Sequence, residues 1–262
     1  MNTNDNNIND FAESNYGRLK SQEADFSKGI ALYMEDVSVW FDKFRALNNL
    51  SLYIKEGELR CIIGPNGAGK STLLACIAGL DEPDGGVVMV DGRPTGRARH
   101  ATTVFLVPDG ARPWVDQTVE QVLSFFAAVH GAPAALVAEL HEALLLTALR
   151  AQRVGELSKG QGKRVLIALG LLTPHPFLLL DEPFDGLDLR QVRDVAALLR
   201  AHAARGRGLV LSIHQLTDAA RTCDDLVLLD AGRTVAMGTL EELRQRSGRP
   251  VGDIEEVFLA LT

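Results

Sequence analysis

The run "GPNGAGKST", Gly64 to Thr72, limits what this chain can fold into more than any other stretch. It follows the apolar segment "ELRCIIG" and precedes a segment where Leu73, Leu74, Ile77 and Ala78 share one helical face, so it joins a buried strand to an amphipathic helix. The spacing G-x-x-x-x-G-K-[ST] in that context has a definite chemistry. Glycines let successive backbone N–H groups converge on phosphate oxygens, and the helix N-terminus adds partial positive charge. Lys70 would neutralise β and γ phosphates, and Ser71 would ligate Mg2+. The plainer reading is a Gly-rich turn capping a helix, against which the flanking strand and helix argue.

The rest of the chain supplies a matching frame. Short strands, "IALYMEDVSVWF" and "NLSLYIK", come first; "VVMVDG" and "TTVFLV" follow the glycine-rich loop. The period then changes. Thr118 with Gln121 reads as a capping box, and Val119, Val122, Leu123 and Phe126 share a helical face; Pro133 starts another helix carrying Leu136, Leu140 and Leu144. After this block come "FLLLDE", a helix from Leu189 to Ala204, "LVLSIH", "DLVLLD", "RTVAMG" and a helix capped by Thr239 and Glu242. Strands alternating with helices predict an α/β chain with a mostly parallel sheet flanked by helices. The expected divisions are a disordered, Asn-rich extension over 1–29, a domain over 30–246 with a helical subdomain at about 118–170, and a helical tail over 247–262.

Two carboxylates end the apolar run "FLLLDEP", at the strand end where ligands bind in open α/β sheets. Asp181 would hold Mg2+, directly or through water. Glu182 would orient and deprotonate an attacking water, because phosphoryl transfer needs positioning and charge stabilisation more than covalent help. His214 ends "LVLSIH", another strand running to the same edge, within reach of a γ-phosphate or that water. Further along the loop-and-helix pattern, "GELSKGQGKRVLIAL" puts Ser158 at the N-cap of a helix, where its hydroxyl, the Gly160 N–H and the helix dipole can face an anion.

With these segments in this order the chain resembles the ATP-binding cassette family over nearly everything from Ile30 to about Arg246. "GPNGAGKST" (Gly64, Pro65, Asn66, Gly67, Ala68, Gly69, Lys70, Ser71, Thr72) is similar to its Walker A and "FLLLDEP" to its Walker B. "LSKGQ" (Leu157, Ser158, Lys159, Gly160, Gln161) is similar to its signature, "FDGLD" with Gly186, Leu187 and Asp188 to its D-loop, and His214 to its switch histidine. The resemblance implies a P-loop NTPase fold with an antiparallel β subdomain and a helical subdomain. It implies ATP and Mg2+ as cofactors, and a homodimer or heterodimer in which the signature of one cassette faces the ATP of the other. It further implies transmembrane permease subunits as partners and a place on the cytoplasmic face of the cell membrane. Phe41 falls where the family stacks an aromatic on adenine, with Trp40 its neighbour.

Three departures from the pattern stand out. Asp109 occupies the Q-loop position usually held by glutamine; it could still approach Mg2+ but cannot donate as an amide does, and Gln117 is too far along to replace it. Lys159 replaces the commoner glycine of the signature, and Gly162 with Lys163 alters its tail. The two halves also point apart: "ALNNLSLYIKEGELRCIIGPNGAGKST" looks like importer cassettes for branched-chain amino acids and urea, whereas "TVEQVLSFFAAVHG" and "LSKGQGKRV" look like exporter cassettes. The helical block tips the expectation towards export.

Bulk properties exclude several other classes. A net charge of -7 over 262 residues gives no basic field for nucleic acid. Charged and proline residues interrupt the longest apolar stretches, so a pore must come from another chain. Cys61, Cys76 and Cys223 lack CxxC spacing and read as reduced thiols in an apolar core. A soluble cassette ATPase of ribosomes or chromosomes stays as an alternative, although such proteins usually carry two cassettes or a long coiled coil, and a GTPase would carry NKxD; neither pattern is present.

Overall fold

A computed structural model of the chain describes residues 30–90, 93–94, 97–223 and 225–262. The expected extension over 1–29 lies outside them. In chain order the strands and helices are β1 (Ile30–Phe41), β2 (Phe44–Lys55), β3 (Leu59–Ile63), α1 (Lys70–Ile77), β4 (Gly85–Val90), β5 (Arg93–Pro94), α2 (Arg97–Thr103) and β6 (Val104–Val107). Then follow α3 (Val119–His130), α4 (Ala134–Ala143), α5 (Lys159–Leu172), β7 (Phe177–Asp181), α6 (Leu189–Ala204), β8 (Gly208–Ile213) and α7 (Leu216–Thr222). The chain ends with β9 (Asp225–Asp230), β10 (Arg233–Gly238), α8 (Leu240–Arg246) and α9 (Ile254–Leu261).

Two sheets result. The six-stranded sheet has the order β10-β9-β3-β8-β7-β6, parallel throughout except for β10, while β2-β1-β4-β5 form an antiparallel sheet. This is the expected architecture. The run expected as one strand, "TTVFLV", divides: Thr102 and Thr103 finish α2, and only Val104–Val107 pair with β7.

Alternation along the buried strands sends side chains into two cores. Cys61, Ile63, Leu178 and Leu180 join a cluster under α3, α5 and α6; Ile62, Phe177 and Leu179 join one shared with α1 and the antiparallel sheet. Every residue of β3, β7 and β8 is buried, as a sheet covered on both faces requires. The topology matters for chemistry, because β3, β8 and β7 are adjacent and parallel. Gly64, His214 and Glu182 therefore leave the sheet side by side at one carboxyl edge.

The helical block is tied at its ends. Thr118 and Arg153 form an isolated antiparallel bridge, and the Arg164 guanidinium, buried on α5, donates to the Leu144 carbonyl at 2.8 Å beyond α4. One expectation is corrected here: Cys61 and Cys223 are joined as a disulfide, and Cys76 alone remains a free, buried thiol. The two sulfurs meet because Cys61 lies mid-strand on β3 and Cys223 ends α7, against the same core cluster. Spacing in sequence carries no trace of that contact.

α6 buries a titratable group. His202 is only 6% exposed, and its Nε2 has no hydrogen-bond partner among the described residues, lying 4.0 Å from Glu139. Burial, reinforced by the Arg205 charge, pushes its pKa down to about 4. The unfolded chain would protonate nearer 6.5, so stability is full above that value and is lost as pH falls towards 4, by roughly 2–4 kcal/mol. Urea unfolding at about pH 7.5 and about pH 4.5 should show a smaller loss in His202→Leu than in the unaltered chain. Equal losses would contradict the assignment.

Candidate functional site: a phosphate cradle at the carboxyl edge of the sheet

The loop from Gly64 to Gly69 takes its shape from close backbone approaches. A Cβ on Gly64 would lie 2.2 Å from the Leu229 carbonyl oxygen, and one on Gly69, at φ +99, would lie 2.6 Å from that of Ala46. Only glycine fits either position. These contacts seat the loop on β9 and on β2, the strand that follows the Phe41 turn. Gly67, also at positive φ, has open space where a side chain would point. The cradle is thus walled on the protein side and open outward.

Lys70 opens α1 and is buried, yet its ammonium is satisfied. Nζ donates to the Gly64 carbonyl at 2.8 Å and the Pro65 carbonyl at 3.2 Å, and stands 3.8 Å from a Glu182 carboxylate oxygen. Burial lowers its pKa, with the charges of Glu182 and Asp181 opposing that shift. The lysine is held over the loop by weak acceptors that an anion can replace.

Three expected residues converge. The Glu182 carboxylate accepts from His214, Nδ1 at 2.6 Å and backbone N–H at 3.2 Å, while its other oxygen faces Lys70. Glu182 adopts φ 49, a left-handed conformation costing a non-glycine residue roughly 1–3 kcal/mol. What holds it there is Ser212, which was missed in the sequence. The Ser212 hydroxyl donates to Asp181 Oδ1 and accepts from the Glu182 N–H at 3.0 Å, and the Ser212 carbonyl accepts from the same N–H at 3.2 Å. The available signal was one polar residue in the apolar run "LVLSIH". With 0% exposure it has no reason to be polar except to orient its neighbours.

The donor chemistry fits a magnesium nucleotide. Ser71, in the first turn of α1, and Asp181, at the end of β7, offer hard oxygens. Mg2+ suits such a site, since it keeps phosphate and water ligands and takes few from protein.

The segment Leu157–Gln161 is built separately. Ser158 caps α5 in a reciprocal box with Gln161, Gln161 N–H to Ser158 Oγ at 3.3 Å and Ser158 N–H to Gln161 Oε1 at 2.8 Å. What this tip meets in its own chain is the Asp185–Leu187 turn: a Cβ on Gly160 would lie 2.4 Å from the Gly186 carbonyl oxygen. Asp188, after that turn, caps α6 through Gln191. Ser158 itself is exposed, with its N-terminal helix end turned to solvent.

The remaining expected residues divide. Asp109 is engaged by Lys163, whose Nζ lies 2.7 Å away. Burial works against the Asp109 carboxylate, but the lysine outweighs it and holds the pKa below the usual range. Phe41 ends β1 and is 52% exposed; beside it Trp40 already carries the Arg45 guanidinium 5.1 Å from its ring. Gln117 is occupied in the backbone, donating to Trp114 and accepting from Val154 ahead of α3.

Comparison with known proteins bears on the family and the fold. A family model described as ABC transporter matches residues 47–185. The chain is 38% identical over 198 residues to Nod factor export ATP-binding protein I of Burkholderia orbicola, covering 73% of this chain and 65% of that one. It is 33% identical to ABC transporter G family member 20 of Dictyostelium discoideum, over 89% of this chain and 32% of that one. It is also 33% identical to the sulfate/thiosulfate import ATP-binding protein CysA of Synechocystis, over 87% of this chain and 66% of that one. The chain therefore spans from about a third to about two thirds of these relatives' lengths. Among solved structures, an ATP-binding subunit of an ABC transporter superposes with a TM-score of 0.79 at 29% identity, covering 88% of this chain and 99% of that one. A bacterial Atm1-family ABC exporter with ATP bound gives 0.76 at 25% identity, over 88% of this chain and 41% of that one. On the family match, the relatives and the shared fold, the chain belongs to the ABC transporter family as one of its ATP-binding cassettes.

Proposed function

We propose that this chain hydrolyses ATP to ADP and phosphate as the energy-coupling subunit of a transporter whose pore lies in separate membrane subunits. The observation that carries the reading is the position of Glu182, held between Lys70 and His214 beside the Gly64–Gly69 cradle. Bound Mg2+ would neutralise phosphate charge and template the displacement, with Ser71 and Asp181 as its protein ligands. The backbone N–H groups of 64–72 and Lys70 orient the phosphates. Glu182 takes the proton of the attacking water, and His214 fixes the carboxylate at the angle that reaches it. Ser212 holds Asp181 and Glu182 at a constant spacing. Phe41 stacks on the base.

The signature tip completes the site from a second cassette. Ser158 and the α5 N-terminus form an exposed anion-binding end, which a head-to-tail pair brings against the partner's γ-phosphate. Closure is then a population shift favoured by contacts that exist only with ATP bound. Among the described residues no helix is long and apolar enough to cross a membrane, which fits a pore made by other chains. An exposed aromatic patch, Trp114 against Phe125 with centroids 5.4 Å apart, offers the helical block a docking surface. Export is the direction that the name of the 38% identical relative supports.

The test is purification of the full chain from detergent extract. Recovery with an integral membrane protein, in a complex that hydrolyses ATP, is the expected result. Recovery with ribosomes and no integral membrane protein would overturn the transport reading.

A further inference from the structure

The residues that depart from the family pattern meet in one place. Lys159 and Lys163 stand four apart on α5 and so share a face. Lys159 pairs with Asp185 at 2.5 Å, three residues after Glu182. Lys163 pairs with Asp109 at 2.7 Å, just beyond β6, and also donates to the Asp181 carbonyl at 3.2 Å. Lys163 is only 5% exposed, and a buried ammonium is tolerated only when paired and hydrogen-bonded. Between the two rungs the Gly160 backbone lies against Gly186, too close for any side chain. A charge at position 159 has no favourable partner in the helix dipole, which is positive at that end; Asp185 supplies it.

We propose that Lys159 and Lys163 are positioning residues for hydrolysis, forming a two-rung charge ladder that clamps the Ser158 tip to Asp185 and Asp109. The inference rests on the reading of this site as an ATPase. Through the ladder the signature tip, the Asp181–Glu182 strand end and the loop after β6 shift as one body. Asp109 lies on the connection from the sheet to α3, so a displacement of the helical block reaches Asp181 through the Lys163 ammonium. The Lys163–Asp109 rung does what an amide pair cannot: it penalises separation strongly, because parting leaves a buried cation without its counter-charge, while the exposed Lys159–Asp185 rung contributes less.

The full chain is assayed for ATP hydrolysis with D109N, K163Q, the double variant and D109E, with thermal melts alongside. Each single neutralisation should lower kcat about tenfold with KM for ATP within about twofold, since the ladder orients groups and does not bind nucleotide. The double variant should be no worse than either single one, and D109E should recover most of the rate, because half-exposed Asp109 has room for a longer side chain. Losses that multiply in the double variant, or lowered melting temperatures with kcat unchanged, would overturn the ladder while leaving the ATPase reading intact. An unaltered chain that hydrolyses no ATP would bring down both.

Discussion

Glu182→Gln will lower kcat by two orders of magnitude or more while nucleotide still binds. The amide has the shape of the carboxylate and can keep a hydrogen bond to His214, which now stands at 2.6 Å. It cannot accept a proton from water, and a positioned general base contributes about 10²–10⁴ to rate. The substitution also removes a negative charge from beside the place a γ-phosphate would occupy, so a closed ATP-bound pair should outlive its normal lifetime. Single-turnover hydrolysis reads the first effect. Size exclusion with and without ATP reads the second, as an apparent mass that doubles only with nucleotide. Hydrolysis at the unaltered rate would remove Glu182 from the role of base and leave its strained backbone unexplained.

Lys70→Ala acts a step earlier, on binding. In the structure the ammonium rests on the Gly64 and Pro65 carbonyls at 2.8 and 3.2 Å, acceptors that phosphate oxygens would outcompete. Each charge-assisted hydrogen bond to phosphate is worth roughly 1.5–3 kcal/mol, so losing contacts to two phosphates should weaken ATP by about a hundredfold or more. The protein should also lose most of the rise in melting temperature that ATP with Mg2+ gives the unaltered chain. Affinity within about twofold of the unaltered value would place the phosphates elsewhere.

How much of this could be read from residues alone depended on whether local chemistry or distant contact set the feature. "GPNGAGKST" was legible because the glycines answer to their own backbone, and the alternation in "FLLLDE" because burial repeats at period two. Capping boxes at Thr118 and Thr239 and the N-cap at Ser158 were legible for the same reason. Ser212 was not, since its value lies in adjacency of β8 to β7, a pairing that only the sheet order creates. Nor was the Cys61–Cys223 bridge, which spans 162 residues of chain. Lys159, Lys163 and Asp109 each looked like an isolated departure until the α5 face carrying both lysines met Asp109 in the loop after β6. "TTVFLV" reads as one undivided strand because threonine suits a strand interior and a helix end alike, whereas Thr102 and Thr103 finish α2.

The central claim is that each nucleotide site is completed by the Ser158 tip of another cassette. The direct measurement mixes two inactive chains, Lys70→Ala and Ser158→Asp. Aspartate caps a helix as well as serine does, so the second variant keeps α5 intact and only sets a carboxylate against the incoming phosphate. In a mixed pair one site draws an intact loop from the Ser158→Asp chain and an intact tip from the Lys70→Ala chain. The account predicts that hydrolysis absent from either preparation appears on mixing, at roughly a quarter of the unaltered rate for random equimolar pairing. A mixture as inactive as its parts, or a Ser158→Asp chain that turns over ATP at the full rate alone, would contradict it.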